Sequence, residues 1–329
     1  MTDLREAIAD RTAGLPSLDD PRDPEALMRL LRVLYAAGRD DLPLGRLLEG
    51  HVDALQIALR YGSDGQREAI TGLAQRGATL GVWNADLIGE PLRLEEGRID
   101  GLRLGGGKSF ASGAGILSHA IVTVDAPGGR QLLLLDLART PPVIDRSFWN
   151  VAGMQRSETH VVRWDAAGVE AHDLIGHPGD YVREPWFGGG ALRFVAVQAG
   201  GIAALVDRTR DHLVAAGREA DPHQAGRLAA LYADAAAAAG AVRSAAAGWF
   251  GDDASRLPLV AAARAAVYEA GGRALTLAQE AVGVQALFLD HPLAATITDL
   301  SMYLRQPGPD AQRMRVGAAV AAGVLRPAL

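Results

Sequence analysis

The 329-residue chain contains no cysteine. That absence removes disulfides, thiolate nucleophiles and thiolate metal sites together, and it fits a reducing compartment. Aromatic residues make up only 5% of the chain, so its helices must pack mainly through small aliphatic side chains. There is no basic surplus: 33 Lys and Arg against 39 Asp and Glu give a net charge of −6, and phosphate neutralisation needs an excess of cations. No apolar run approaches the roughly 18–20 residues that cross a bilayer. The first residues, MTDLREAIADRTAG, carry charges where a signal peptide has its apolar core. These absences lead us to expect a cytoplasmic protein that binds neither nucleic acid nor membrane. What is present, 49% hydrophobic and 22% charged residues, suits two or three globular units.

The apolar pattern changes twice along the chain. Up to residue 76 it has helical period: Leu27, Leu30, Leu31 and Leu34 share one face of residues 24–38, ending at Gly38, and Leu47, Val52, Leu55 and Leu59 share one face of residues 42–62. From 77 to 180 short apolar or alternating runs are separated by Glu-Gly, Asp-Gly and Pro-Gly-Gly, the punctuation of hairpins. From 181 to 329 the helical period returns, over 189–216, 222–249, 257–283, 291–306 and 309–325. Pro258 and Pro292 suit first turns, and Gly217 and Gly251 suit C-terminal caps. Gly200-Gly201 inside a helix costs ~1 kcal/mol per glycine relative to alanine, which points to a close approach by another helix or a ligand. The expected class is α+β: an N-terminal helical domain (1–76), a middle antiparallel β-sheet or barrel domain (77–180) and a C-terminal domain like a four-helix bundle (181–329).

The stretch GLRLGGGKSFASGAG, residues 101–115, offers Gly-Gly-Gly-Lys-Ser, as a phosphate-binding loop would. The loop pattern needs a further glycine, then four residues, before Gly107. Leu102 occupies that place, and the residues after Ser109 make a poor helical first turn. A hairpin turn with a buried Phe110 is one reading of this stretch from spacing alone.

Taken in order, several segments resemble the acyl-CoA dehydrogenase superfamily of flavoproteins, over roughly Leu42 to Gly317. HVDALQIALRYGSDGQRE (51–68) resembles the family's segment ending in a Tyr-Gly-Ser…Gln signature. KSFAS (108–112) resembles its Lys-Trp-Ile-Thr/Ser segment, and NVAGMQRSETHVVRWDAAGV (150–169) its Gly-Met-Arg strand. TRDHLVAAGREADPHQ (209–224) and HPLAATITDLSMYLRQPGPD (291–310) resemble two later helical segments. The resemblance implies FAD held between helical and β domains, with Phe110 flanking the isoalloxazine ring and Ser112 hydrogen-bonding its N5/O4 edge. It further implies backbone contacts from Asn84 and Ala85, and Arg218 and Gln224 reaching FAD across a dimer interface. A homodimer or homotetramer acting on a small molecule such as an acyl thioester is the implied assembly.

The departures bear on function. Where the family carries a Gly-Ser-Asp turn contributing a serine to the FAD phosphate, this chain reads VWNADLIGEPLRL (82–94), with Asp86 in place of a glutamate and the turn deleted. The glutamate that removes the substrate α-proton in the family is missing from DLSMYLRQPGPDAQR and from the alternative position near Ala191–Arg193. Thr298 replaces an arginine. A lost base is serious, since acid–base catalysis contributes ~10²–10⁴-fold. Glu184 is the nearest acidic candidate, or a solvated loop carboxylate; Asp299 and Asp310 are helix-surface or capping residues on the same footing. His172 and His177 form a loop pair without further ligands, so no metal site is expected. His51 is either a satisfied core histidine or close to the active site. Arg156 and Arg193 line an anion pocket or make ordinary ion pairs.

Three functions remain open on these residues. The first is an FAD-dependent oxidoreductase passing a hydride from a substrate carbon to flavin N5, without the usual glutamate. The second is a flavin-dependent monooxygenase of the same fold. The third is a catalytically silent subunit paired with an active homologue.

Overall fold

The computed structural model describes residues 3–15, 17–96, 101–126, 128–306 and 308–327. The helices are α1 (Leu4–Ala13), α2 (Pro24–Asp40), α3 (Leu42–Tyr61), α4 (Asp64–Gln75), α5 (Trp186–Gly189), α6 (Ala191–Ala215), α7 (Pro222–Gly248), α8 (Asp253–Val282), α9 (Pro292–Tyr303) and α10 (Pro309–Ala321). The strands are β1 (Leu80–Trp83), β2 (Arg93–Glu96), β3 (Leu102–Ala111), β4 (His119–Ala126), β5 (Gly129–Asp136), β6 (Val143–Asp145), β7 (His160–Val169) and β8 (Leu174–Ile175). The chain divides into two compact units: Met1–Asp20, Leu47–Asn150 and Gln155–Phe187 form one, and Pro21–Arg46, Val151–Met154 and Gly188–Leu329 the other.

In the first unit the eight strands form one sheet in the order β6-β7-β3-β2-β4-β5-β8, with β1 beside β4. Most pairings are antiparallel, as the turn signals imply, but β1 runs parallel to β4 and β2 meets it in parallel at Arg93. The hairpin signals at Gly97 to Asp100, and Pro127 of the Pro-Gly-Gly turn, lie outside the described residues. Strand alternation sorts the core into two faces. Val122, Val124, Leu133 and Leu135 join Trp83, Leu104, Val162 and Trp164 on one face. Their neighbours Ile121 and Leu132 turn the other way, onto Ala54, Leu55 and Ala58 of α3 and Ile70 of α4.

The second unit is built around α6, whose residues are mostly buried. Gly200 and Gly201 do not break this helix. A Cβ at Gly200 would lie 2.1 Å from the Tyr35 carbonyl oxygen of α2, so the glycines permit a close helix crossing. Gly38 plays the reciprocal part: α2 runs past it to Asp40, because a Cβ there would meet Val197 O at 2.1 Å. The helix assigned to 257–283 starts a turn earlier, at Asp253 behind an Asp252 cap, which leaves Pro258 inside α8 rather than at its start. Pro292 opens α9 and Gly217, at φ +66°, follows α6. The expectation about apolar runs also needs correction. Trp186–Ala215 is long and apolar enough by length and composition to cross a membrane, with mean hydropathy 1.5 over its best window. Arg193, Gln198 and Asp207 interrupt it in sequence, and 78% of that window is buried inside the protein.

Candidate functional site

The glycine-rich stretch that opens like a phosphate loop is a strand. Gly105, Gly106 and Gly107 lie inside β3, and Gly106 adopts φ +98° at a β-bulge where a Cβ would strike the Pro91 carbonyl at 2.3 Å. No helix N-terminus follows, so the geometry that makes a triphosphate cradle is missing.

A second register shift, between Lys108 and Ala111, delivers the notable residue. Phe110 sits in the left-handed region at φ +52°, which costs a non-glycine residue ~1–2 kcal/mol, and it is 57% exposed. Its ring packs edge-on to Phe148, with centroids 5.1 Å apart, and to Trp149 at 6.4 Å. Both partners come from the 3₁₀ turn Arg146–Trp149, which the Asp145 side chain caps by accepting from the Ser147 N–H. Hydrogen bonds from Ser147 lead the causes that hold the Asp145 carboxyl below its usual range. A strained, half-exposed aromatic supported by two further rings presents a flat apolar surface.

Two residues later Ser112 enters a buried chain of hydroxyls. The Thr159 hydroxyl donates to Ser112 Oγ at 2.9 Å and stands 2.8 Å from Ser157 Oγ. The backbone of the same two segments is clamped: Gly113 N–H donates to Ser157 O at 2.8 Å, Ala114 N–H to Glu158 O at 3.1 Å, and the Trp83 indole N–H to Ser112 O at 2.9 Å. Glu158, between the two hydroxyl residues, is itself left-handed at φ +43°. Its carboxylate is held by Arg146 and by His160 Nε2, at 2.9 Å from the latter. Burial would raise the Glu158 pKa, but hydrogen bonds from His160 and Arg146 outweigh it and the net shift is downward. Two of the four non-glycine residues with positive φ among the described residues, Phe110 and Glu158, thus fall in these segments.

Asn84 and Ala85 follow β1. The Asn84 carbonyl is occupied by Arg130 Nη2 at 2.8 Å and Lys108 Nζ at 3.2 Å, and its side-chain oxygen accepts from Thr123 at 3.0 Å. Ala85 is exposed; its carbonyl accepts from Ser109 N–H, and its own N–H joins no hydrogen bond among the described residues. Asp86, where the family has a glutamate, pairs with Lys108 and Arg130. Burial opposes its charge, yet the two cations hold its pKa below the usual range. Lys108 is fully buried, and desolvation lowers its amine to about 8. This cluster fastens the β1 exit to β3, so Lys108 is structural rather than phosphate-facing.

Arg218 and Gln224 belong to the second unit. Arg218 is exposed on the turn after α6, while Gln224 is buried in the first turn of α7 with no partner for its side-chain oxygen among the described residues. Glu184 is an exposed loop residue. Asp299 accepts a hydrogen bond from the Met154 N–H, and Asp310 pairs with Arg313, so both carboxylates have structural partners. His51 is a core histidine: its Nδ1 accepts from Leu80 N–H at 3.0 Å, and burial lowers its pKa to about 4. His172 is exposed beside Glu170 and Asp173. Among the described residues no group of three or more His, Cys, Asp or Glu could hold a metal. An open cavity of about 460 Å³ in the second unit, lined by Tyr268, Arg273, Ser301 and Arg305, includes none of the expected residues. The residues that sequence reasoning passed over are Ser157 and Thr159, Phe148 and Trp149. The spacing Ser-x-Thr at 157–159 was the available signal.

No protein-family model matches the chain, and no curated protein sequence matches it. Solved structures do. Glutaryl-coenzyme A dehydrogenase, solved with glutaryl-CoA, superposes with TM-score 0.78 at 18% identity over 98% of this chain and 86% of the other. TdsC from Paenibacillus sp. A11-2, solved with FMN and indole, gives 0.76 at 14% over 97% and 94%. Butyryl-CoA dehydrogenase from Megasphaera elsdenii gives 0.74 at 15% over 98% and 99%. The fold is therefore that of the acyl-CoA dehydrogenases and the monooxygenase built like them.

Proposed function

From that fold, we propose that the chain is a flavin-dependent oxidoreductase that works without the family's glutamate base. The observation that carries the reading is Phe110, an aromatic held half-exposed in a strained backbone two residues before an anchored hydroxyl. The residues fit a flavin by their chemistry: an aromatic wall for the ring, and the Ser112 hydroxyl and Ala85 N–H for its polar edge. Bound there, a flavin supplies a two-electron acceptor for a hydride leaving a substrate carbon. Phe110, backed by Phe148 and Trp149, positions the ring and excludes water from one face. Ser112 donates to the edge that gains charge.

FAD is the form that the resemblance implies, although the missing Gly-Ser-Asp turn removes one hydroxyl contact to its pyrophosphate. Arg218 and Gln224 complete its binding from a second copy in this reading, and the assembly is a homo-oligomer. The engagement of Asp299 with Met154 and of Asp310 with Arg313 favours a substrate that needs no carboxylate to remove an α-proton. A monooxygenase reaction, as in TdsC, a dibenzothiophene monooxygenase, satisfies that condition and is the second reading.

The test is an absorbance spectrum after separate incubation with FAD and FMN and removal of free flavin. Near-stoichiometric retention of one form supports the proposal, with F110A reducing affinity by ~10-fold or more. A colourless protein in both cases sinks it and leaves the silent-subunit reading.

A further inference from the structure

The buried hydroxyl chain has a direction, and that direction gives Thr159 a role. Thr159 has one hydroxyl hydrogen and three acceptors in range: Ser157 Oγ at 2.8 Å, Ser112 Oγ at 2.9 Å and the Ser157 carbonyl at 3.5 Å. Of the two hydroxyl contacts only that with Ser112 has a fixed direction, with Thr159 as the donor, so it takes the hydrogen. Ser157 Oγ lies on the other side, 2.8 Å from Thr159 Oγ1. Ser112 is left accepting from Thr159, with its own hydrogen used by no group among the described residues. All three residues are buried, with 1% (Ser157), 4% (Thr159) and 8% (Ser112) exposed, so water does not scramble the order freely.

We infer that Thr159 is a positioning residue that fixes Ser112 as a donor toward the ligand bound at the Phe110 wall. With Thr159 donating, Ser112 Oγ has its acceptor capacity engaged and its O–H is turned outward. Without that bond, Ser112 is free to turn its hydrogen inward, and its oxygen presents a lone pair to the ligand edge instead. The segment is built to hold this arrangement. The clamps from Gly113 to Ser157 O and from Ala114 to Glu158 O fix its spacing, and the left-handed Glu158 between the two hydroxyl residues is pinned by Arg146 and His160.

The inference rests on the flavin reading, so the experiment begins with wild-type protein. Flavin dissociation constants, by absorbance or fluorescence titration, and midpoint potentials are measured for wild type, T159V, T159S, S112A and the T159V/S112A double variant, with circular dichroism to verify folding. Valine keeps the shape of threonine and removes its donor. The expected result is a ~3–10-fold weaker flavin affinity in T159V, the worth of one hydrogen bond. Its midpoint potential moves in the same direction as that of S112A. T159S restores both, and in the S112A background Thr159→Val adds nothing. Wild-type values in T159V overturn the inference, as does an equal Thr159→Val effect without Ser112, which assigns the residue to packing. T159V that fails to fold while T159S behaves as S112A also overturns it. If wild type retains neither FAD nor FMN, the flavin reading itself has failed, an outcome separate from any variant's behaviour.

Discussion

At the scale of single residues, backbone strain and burial point to different tasks. Glu158 occupies a conformation that favours glycine, φ +43°, and keeps it through its ion pair with Arg146 and its hydrogen bond with His160. E158A loses those contacts and retains the strain, whereas E158G loses the contacts and releases it. Chemical denaturation should therefore find E158G about 1 kcal/mol more stable than E158A; equal stabilities would mean the strain carries no cost. His51 is a purely structural case. Its folded pKa of about 4 lies below the ordinary histidine value of about 6.5, so the unfolded chain binds the extra proton first. The sign follows: its contribution is fully present above about pH 6.5 and is lost as pH falls through 4, amounting to about 3 kcal/mol. H51Q keeps an acceptor for the Leu80 N–H and cannot titrate. Denaturation curves from pH 7 to 4 should be flatter in H51Q than in wild type by that amount, and parallel curves would contradict the assignment.

At the scale of elements, the glycines show how much a sequence states and how much only neighbours decide. Gly200 and Gly226 both sit inside long helices and read alike. Alanine at 200 would meet the Tyr35 carbonyl at 2.1 Å, while at 226 it would meet nothing within 4 Å. Thermal or urea unfolding should therefore show G200A destabilised by about 2–3 kcal/mol and G226A stabilised by ~0.5–1 kcal/mol. Gains from both substitutions would refute the close α2–α6 crossing. Periodicity located the helices because burial of Leu27, Leu30, Leu31 and Leu34 is written in a spacing. It misplaced their ends at Gly38 and Pro258 because those residues answer to packing or are tolerated inside a helix. The same limit governs the site. Phe110 and Ser112 were legible as a short motif, within a resemblance spread over most of the chain. Thr159 was not singled out, since its partner lies 47 positions away and only the pairing of β3 with β7 joins the segments. The parallel placement of β1 beside β4 was hidden for a like reason, as turn signals report only neighbours in sequence.

At the scale of the whole molecule, the residues between α8 and α9 bear on assembly. Within six positions Val284, Leu287, Phe288 and Leu289 are 73, 53, 52 and 100% exposed. Single exposed apolar residues are ordinary, but four together in one short segment are a costly surface for a monomer. A second copy is the occupant that fits the proposed function, because that reading has Arg218 and Gln224 reach a flavin held by a partner. Two-fold association brings the same segment of both copies into one self-complementary interface. Light scattering coupled to gel filtration should give at least twice the chain mass for wild type. The double variant F288E/L289E places charges at two already exposed positions, so the fold has no need to change and circular dichroism should be preserved. Its mass should fall toward the monomer at micromolar concentration, and its flavin affinity should fall with it if the partner's residues complete the site. A wild-type monomer that binds flavin tightly would remove Arg218 and Gln224 from the binding site and leave the wall at Phe110, with Ser112 and Thr159, to account for the affinity alone.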